Sequence, residues 1–180
     1  LPIPGAHMID NALGAMTAAL CLGIPLETVA SRLACLTAHG GRLRFHRLPS
    51  KALVIDDAYN ASPASVRAAI DVLAQRPGHR VLVLGNMAEL GSTSRSEHEA
   101  IGRYALEKGL DSVLGFGDET KATVRVFGEG QHFTSMEALR AALSSMLRPN
   151  STCLIKGSRA MELDRLVRAL LDTHTWVENA

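Results

Sequence analysis

Aromatic residues make up only 4% of this 180-residue chain, too few to suggest a platform on which unpaired bases stack. An excess of one charge is also lacking. The formal net charge is +1, which argues against nucleic-acid binding by general electrostatics. Cysteine is scarce: Cys21, Cys35 and Cys153 are too scattered for a disulfide framework or a zinc knuckle. They fit reduced thiols of a cytoplasmic protein, the first two in helices and the third in a strand. No apolar run approaches membrane-spanning length and no secretory signal is visible, so membrane insertion is not expected.

Several chemical signatures are missing too. No G-x-x-x-x-G-K-[ST] loop, no GxGxxG fingerprint and no nucleophile elbow G-x-S-x-G occurs. The seven histidines, His7, His39, His46, His79, His98, His132 and His174, show neither HExxH nor i, i+4 pairing. A histidine metal site is therefore not expected. Any nucleotide phosphate cradle has to come from somewhere else.

What the chain has is apolar substance, 47% against 21% charged, enough for one soluble domain with a small appendage. It opens on Leu1 and on a loop-like "LPIPGAH", which suggests a piece of something longer. From Ile9 to Leu22 apolar residues recur at helical spacing until Gly23 and Pro25, and "PLETVASRLACL" makes a second short helix. The pair closes at "TAHGGR", and Gly40-Gly41 marks a boundary between residues 1–39 and 40–180.

Beyond it strand and helix alternate. Strands are expected at Leu43–Leu48, Ala52–Ile55, Arg80–Leu84, Asp111–Leu114, Gln131–Phe133 and Ser151–Ile155. Helices are expected at Pro63–Gln75, Ser94–Lys108, Asp118–Val126, Ser135–Leu147 and Arg159–Leu171. "ALVID", "RVLVLG" and "TCLIKG" are continuous apolar runs, the mark of strands covered on both faces. The pattern implies an α/β fold, a doubly wound and mostly parallel Rossmann-like sheet. The short turn at Pro49-Ser50 makes the first two strands an antiparallel pair at one edge.

In such a sheet ligands bind beyond the carboxyl ends of the strands. Three segments end strands with unusual residues: Asp56-Asp57-Ala58-Tyr59-Asn60, "LGNMAELG" and "KGSRAMELD". All three belong on one rim. Successive strand residues point to opposite faces, so Asp56 and Asp57 do not work as a paired acid and base. One is expected to bond loop amides and the other to be free for a ligand, although both read equally well as turn caps. Ser62 and Pro63 read as N-cap and first helical residue, giving a helix start that attracts anions. Asn86 lies in the second segment, and Glu89 is a ligand contact or an exposed loop acid. Lys156, Ser158 and Arg159 gather two cations and a hydroxyl at what reads as another helix start, where cations oppose the helix dipole. His98 is expected near the start of its helix, in reach of the preceding loop.

These segments together resemble the Mur ligase superfamily. "DDAYNASPASV" is similar to its DD-S-YNAN-P-S segment, "VLVLGNMAELG" to its LGDM-ELG loop and "LIKGSRAMELD" to its VKGSR segment. "LPIPGAHMIDNALGAMTAAL" resembles the GxHNxxNxxAA stretch that closes the central ATPase domain. The KGSR and LGxMxELG segments resemble most the branch that joins D-alanyl-D-alanine to UDP-MurNAc-tripeptide through an acyl phosphate.

The resemblance implies the helical end of an ATPase domain in residues 1–39 and a C-terminal ligase domain in residues 40–180. It implies ATP contacts by Asn11, Arg42, Asp57, Tyr59 and Asn60. Asn86, Glu89, Lys156, Ser158 and Arg159 face the dipeptide or a domain interface. ATP and Mg²⁺ are implied as cofactors, with the metal ligands and P-loop on a preceding part of the chain. No catalytic residue is assigned here, and the 180 residues alone are expected to be inactive. Met8, Asn86 and Ser62 depart from the pattern, standing where the family has Asn, Asp and Asn. Alternatives are a folylpolyglutamate-type or cyanophycin-type ligase of the same superfamily, or a non-catalytic Rossmann-like module.

Overall fold

The computed structural model describes residues 1–2, 5–36 and 40–175, and of these all side chains but those of 6, 7 and 173–175. The chain divides into two compact units, Leu1–His39 and Gly40–Ala180.

The first unit contains α1 (Ala6–Cys21) and α2 (Leu26–Ala34). Helix α1 starts three residues before Ile9, so the loop-like opening is shorter than expected. Met8 N–H bonds Gly5 O and closes the first turn. Gly23 takes a positive φ between the helices, and Pro25 stands as the N-cap of α2. Cys35 is not helical: it caps the end of α2, its N–H bonded to Arg32 O, while Leu36 N–H bonds Leu33 O. The expected close of the pair at Thr37–His39 lies outside the described residues.

The second unit is an α/β layer structure: β1 (Arg44–Arg47), β2 (Leu53–Asp57), α3 (Pro63–Ala74), β3 (His79–Gly85), α4 (Ser94–Glu107), β4 (Ser112–Phe116), α5 (Thr120–Phe127), β5 (Gln131–Phe133), α6 (Met136–Met146), β6 (Ser151–Lys156) and α7 (Asp164–Thr175). The sheet order is β1-β2-β6-β3-β4-β5. Among the described strands only the β1–β2 pair is antiparallel, in keeping with the short turn between them.

Alternation along each strand supplies two cores. Ile55, Leu82, Leu84, Val113 and Leu154 pack with Val66, Ile70 and Leu73 of α3, Ile101 and Ala105 of α4 and Phe127 of α5. Val54, Val81, Val83, Leu114, Cys153 and Ile155 pack with Leu139 and Leu143 of α6 and Leu166, Val167 and Leu170 of α7. Every residue of β6 is buried, which is why "TCLIKG" reads as an unbroken apolar run. Burial pushes the Cys153 thiol far up from its usual range.

One boundary differs in a way that matters for the site. The expected helix Arg159–Leu171 is two elements: a 3₁₀ turn at Arg159–Met161, then α7 from Asp164. Glu162 takes a left-handed conformation between them, φ 48°, and Leu163 is fully buried. Anchoring that leucine redirects the chain before the helix begins. Lys156, Ser158 and Arg159 therefore precede the helix proper, and their charges do not oppose its dipole.

Candidate functional site at the carboxyl rim of the sheet

Strands β2, β6 and β3 are neighbours, and Lys156 stands level with Asp57 on one side and Leu84 on the other. The three unusual segments therefore leave the sheet side by side. Close approach there is enforced by glycine: a Cβ on Gly157 meets Leu163 Cδ1 at 2.8 Å and Gly85 Cα at 3.0 Å.

The paired aspartates both bond loop amides. Asp56 Oδ2 accepts Gly41 N–H at 3.2 Å and its Oδ1 accepts Ala58 N–H at 3.2 Å. Asp57 Oδ1 accepts Leu43 N–H at 3.2 Å. The two carboxylates thus grip the backbone on either side of Arg42, and Tyr59 N–H adds a bond to Gly41 O at 3.0 Å. Gly41 has φ +70°, and a Cβ there meets Tyr59 N at 3.0 Å, so this approach suits glycine. The expectation that one aspartate stays free is corrected. Asp57 is buried and its second oxygen receives Lys156 Nζ at 2.5 Å.

Lys156 also donates to Asn60 O at 2.9 Å, tying the end of β6 to the loop after β2. The Lys156 side chain is 4% exposed and the Asp57 side chain 12%. Burial pushes the Asp57 carboxyl above its usual range. The Lys156 charge and hydrogen bond and the Leu43 amide pull it down without cancelling that effect.

Above this buried pair the surface is cationic. Tyr59 is 44% exposed, with Arg42 Cζ 4.5 Å and Arg159 Cζ 5.3 Å from its ring centroid, both inside cation–π range. Asn60 and both arginines are exposed. At the start of α3, Ser62 caps the helix as expected, accepting Ser65 N–H while Ser65 Oγ accepts Ser62 N–H.

The second segment is held from inside. Asn86 Oδ1 accepts Glu119 N–H at 3.1 Å and its backbone oxygen accepts Ser158 N–H at 3.0 Å. This residue therefore joins the ends of β3, β4 and β6. Ser158 is buried, and Glu89 is exposed in a left-handed conformation, φ 62°. His98, fully buried, accepts Met87 N–H on Nε2 at 3.1 Å. Its Nδ1 then carries the proton and donates to Ser94 O at 2.9 Å. The contact of His98 with the preceding loop is present, but its depth had no signal in the sequence. Nor did the part played by Gly41.

Asn11 belongs to the first unit, exposed on α1, its Nδ2 3.8 Å from Met8 Sδ. Among the described residues no three His, Cys, Asp or Glu side chains cluster as a metal site, and no helix is long and apolar enough to cross a membrane.

The Mur ligase, glutamate ligase domain family matches residues 41–159, from the glycine held by Asp56 to the arginine over Tyr59. The chain belongs to the Mur ligase family. Among known Mur ligases, the UDP-N-acetylmuramoyl-tripeptide–D-alanyl-D-alanine ligase of Escherichia coli (strain K12) is 41% identical over 177 residues, 97% of this chain and 39% of that protein. A crystal structure of MurF from Acinetobacter baumannii matches with a TM-score of 0.88 at 35% identity, over 96% of this chain and 39% of that one. MurF from Thermotoga maritima in complex with ADP matches with a TM-score of 0.83 at 25% identity, over 94% and 39%. The chain spans about two fifths of the length of these Mur ligases.

Proposed function

We propose that this chain is the C-terminal part of an ATP-dependent ligase that joins D-alanyl-D-alanine to UDP-MurNAc-tripeptide during peptidoglycan-precursor synthesis. The observation that carries the reading is the meeting of "DDAYN", "LGNMAELG" and "KGSR" on three adjacent strand ends. The 41% identity to the Escherichia coli ligase supports it over almost the whole chain.

In this reading residues 1–39 are the helical end of the central ATPase domain and Asn11 faces the adenine. Arg42, Tyr59 and Asn60 face the nucleotide. Asp57 serves chiefly by fixing the Arg42 backbone, since Lys156 and Leu43 already occupy its oxygens. The phosphate cradle and the Mg²⁺ ligands belong to the preceding part of the enzyme, as the family resemblance implies. The terminal phosphoryl group of ATP passes to the tripeptide carboxylate with release of ADP, and the amine of the dipeptide attacks the resulting acyl phosphate and expels inorganic phosphate. This unit closes over that intermediate, excludes water and delivers Arg42. The enzyme works in the cytoplasm, and the 180 residues alone are inactive.

The test is a chimera in which this chain replaces the corresponding part of the Escherichia coli ligase. Phosphate release that depends on D-alanyl-D-alanine is expected, and Arg42→Ala lowers turnover without unfolding the chimera. A folded chimera that accepts glutamate or a single amino acid in place of the dipeptide overturns the reading.

A further inference from the structure

Two guanidiniums share one exposed ring at the rim. Arg42 and Arg159 come from segments more than a hundred residues apart, yet both stand within 5.3 Å of the Tyr59 centroid. Among the described residues no carboxylate pairs with either. The nearby acids are occupied: Asp57 by Lys156, Asp56 by two backbone amides, and Glu162 by Arg165. Charge repulsion disfavours gathering two cations over one ring; the shared ring offsets part of this and also limits the rotamers of both arms.

The backbones under both arms are fixed as well. Arg42 stands between amides held by Asp56 and Asp57. Arg159 follows Ser158, whose N–H bonds Asn86 O at 3.0 Å, and Glu162 N–H bonds Arg159 O at 3.2 Å. Planar, always-charged forks held in this way match the oxygens of a phosphate ester.

We propose that Arg159 is the second arm of a polyphosphate clamp with Arg42, and that Tyr59 is the positioning residue that holds both. This rests on the nucleotide-facing reading of the rim, and it assigns Arg159 to the phosphates and not to the incoming dipeptide. Tyr59 acts through the arginines and needs no contact of its own with the ligand.

The experiment titrates this chain with inorganic tripolyphosphate, with ADP and with D-alanyl-D-alanine, following the Arg Nε–H and backbone amide resonances. Tripolyphosphate is expected to move the Arg42 and Arg159 signals together. Arg159→Ala weakens its binding by about five- to tenfold and Arg159→Lys by less, the size expected for one charge-assisted contact. Tyr59→Leu, which removes no charge, weakens it comparably while the melting temperature holds, and Tyr59→Phe restores it. Tripolyphosphate binding that is indifferent to Arg159→Ala overturns the clamp. So does an Arg159 signal that moves with the dipeptide but not with tripolyphosphate, or with neither. The ADP arm separates the two readings. ADP binding that survives Arg159→Ala unchanged sinks the clamp and leaves the nucleotide reading standing. Arg159-dependent tripolyphosphate binding that ADP does not improve on leaves the clamp and removes the nucleotide.

Discussion

Lys156 Nζ lies 2.5 Å from Asp57 Oδ2 between the ends of β6 and β2, and both residues are buried. The same ammonium bonds Asn60 O, and the other Asp57 oxygen bonds Leu43 N–H. One ion pair therefore ties β6 to β2, to the segment that carries Arg42 and to the loop that carries Tyr59. Removing one partner of such a pair strands the other charge in the interior, which costs far more than the pair itself contributes. Lys156→Met is thus expected to lower stability by about 3–5 kcal/mol. The double variant Asp57→Asn with Lys156→Met, which buries no lone charge, is expected to recover most of that loss. Denaturant midpoints of the parent, Lys156→Met and the double variant decide it, and equal losses in the single and double variants overturn this account.

The sheet was legible because its central strands are covered on both faces, so "ALVID", "RVLVLG" and "TCLIKG" carry unbroken apolar runs. The rim was legible because the same strands end in polar residues, and topology sets those ends side by side. What stayed hidden is what long-range bonds decide. Asp57 meets Lys156 across 99 positions and Leu43 across 14, so no local pattern reveals that both aspartates are occupied. The start of α7 differs from the expected one because Glu162 takes a left-handed turn that sequence assigns to glycine or asparagine. The two arginines over Tyr59 come from opposite ends of the unit and had no joint signal.

His98 holds the "LGNMAELG" loop from beneath. Its Nε2 is the acceptor for Met87 N–H, and Met87 is itself buried. His98→Leu fills most of the space but leaves that N–H without a partner, at a cost of about 1–3 kcal/mol. Met87 amide hydrogen exchange should accelerate more than that of Leu82 in the adjoining strand. Parallel acceleration of both amides points to general loosening and against a loop-specific anchor.

Asp111 joins the start of β4 to β3 through one oxygen, Oδ2, which accepts Arg80 N–H at 2.8 Å and Arg80 Nε–H at 3.1 Å. Partial burial raises its carboxyl, but the Arg80 amide, guanidinium bond and charge outweigh that and leave it below the usual range. A depressed carboxyl contributes stability that is fully present above its unfolded value of about 3.9 and disappears as pH falls through the folded one. Asp71, held down by Lys108 and Tyr104 against a similar desolvation, adds in the same direction. Chemical denaturation at pH 6 and pH 3 should show a smaller acid loss for Asp111→Asn than for the parent. An identical loss removes Asp111 from the account of acid unfolding.

Gly102 sets a helix preference against a packing limit. It is buried in α4 where that helix meets α5, and a Cβ there stands 2.5 Å from Thr123 O. The neighbouring atom is backbone, further fixed by the bond from Thr123 Oγ1 to His98 O at 2.9 Å, so it has little room to move aside. Alanine in a helix interior gains about 1 kcal/mol over glycine, whereas forcing a methyl into a packed contact costs about 1–3 kcal/mol. Packing should win, and Gly102→Ala is expected to lower the melting temperature. Gly14 in α1, where a Cβ meets nothing within 4 Å, is the control that should gain from the same substitution. A stabilised Gly102→Ala would mean that α5 shifts freely against α4.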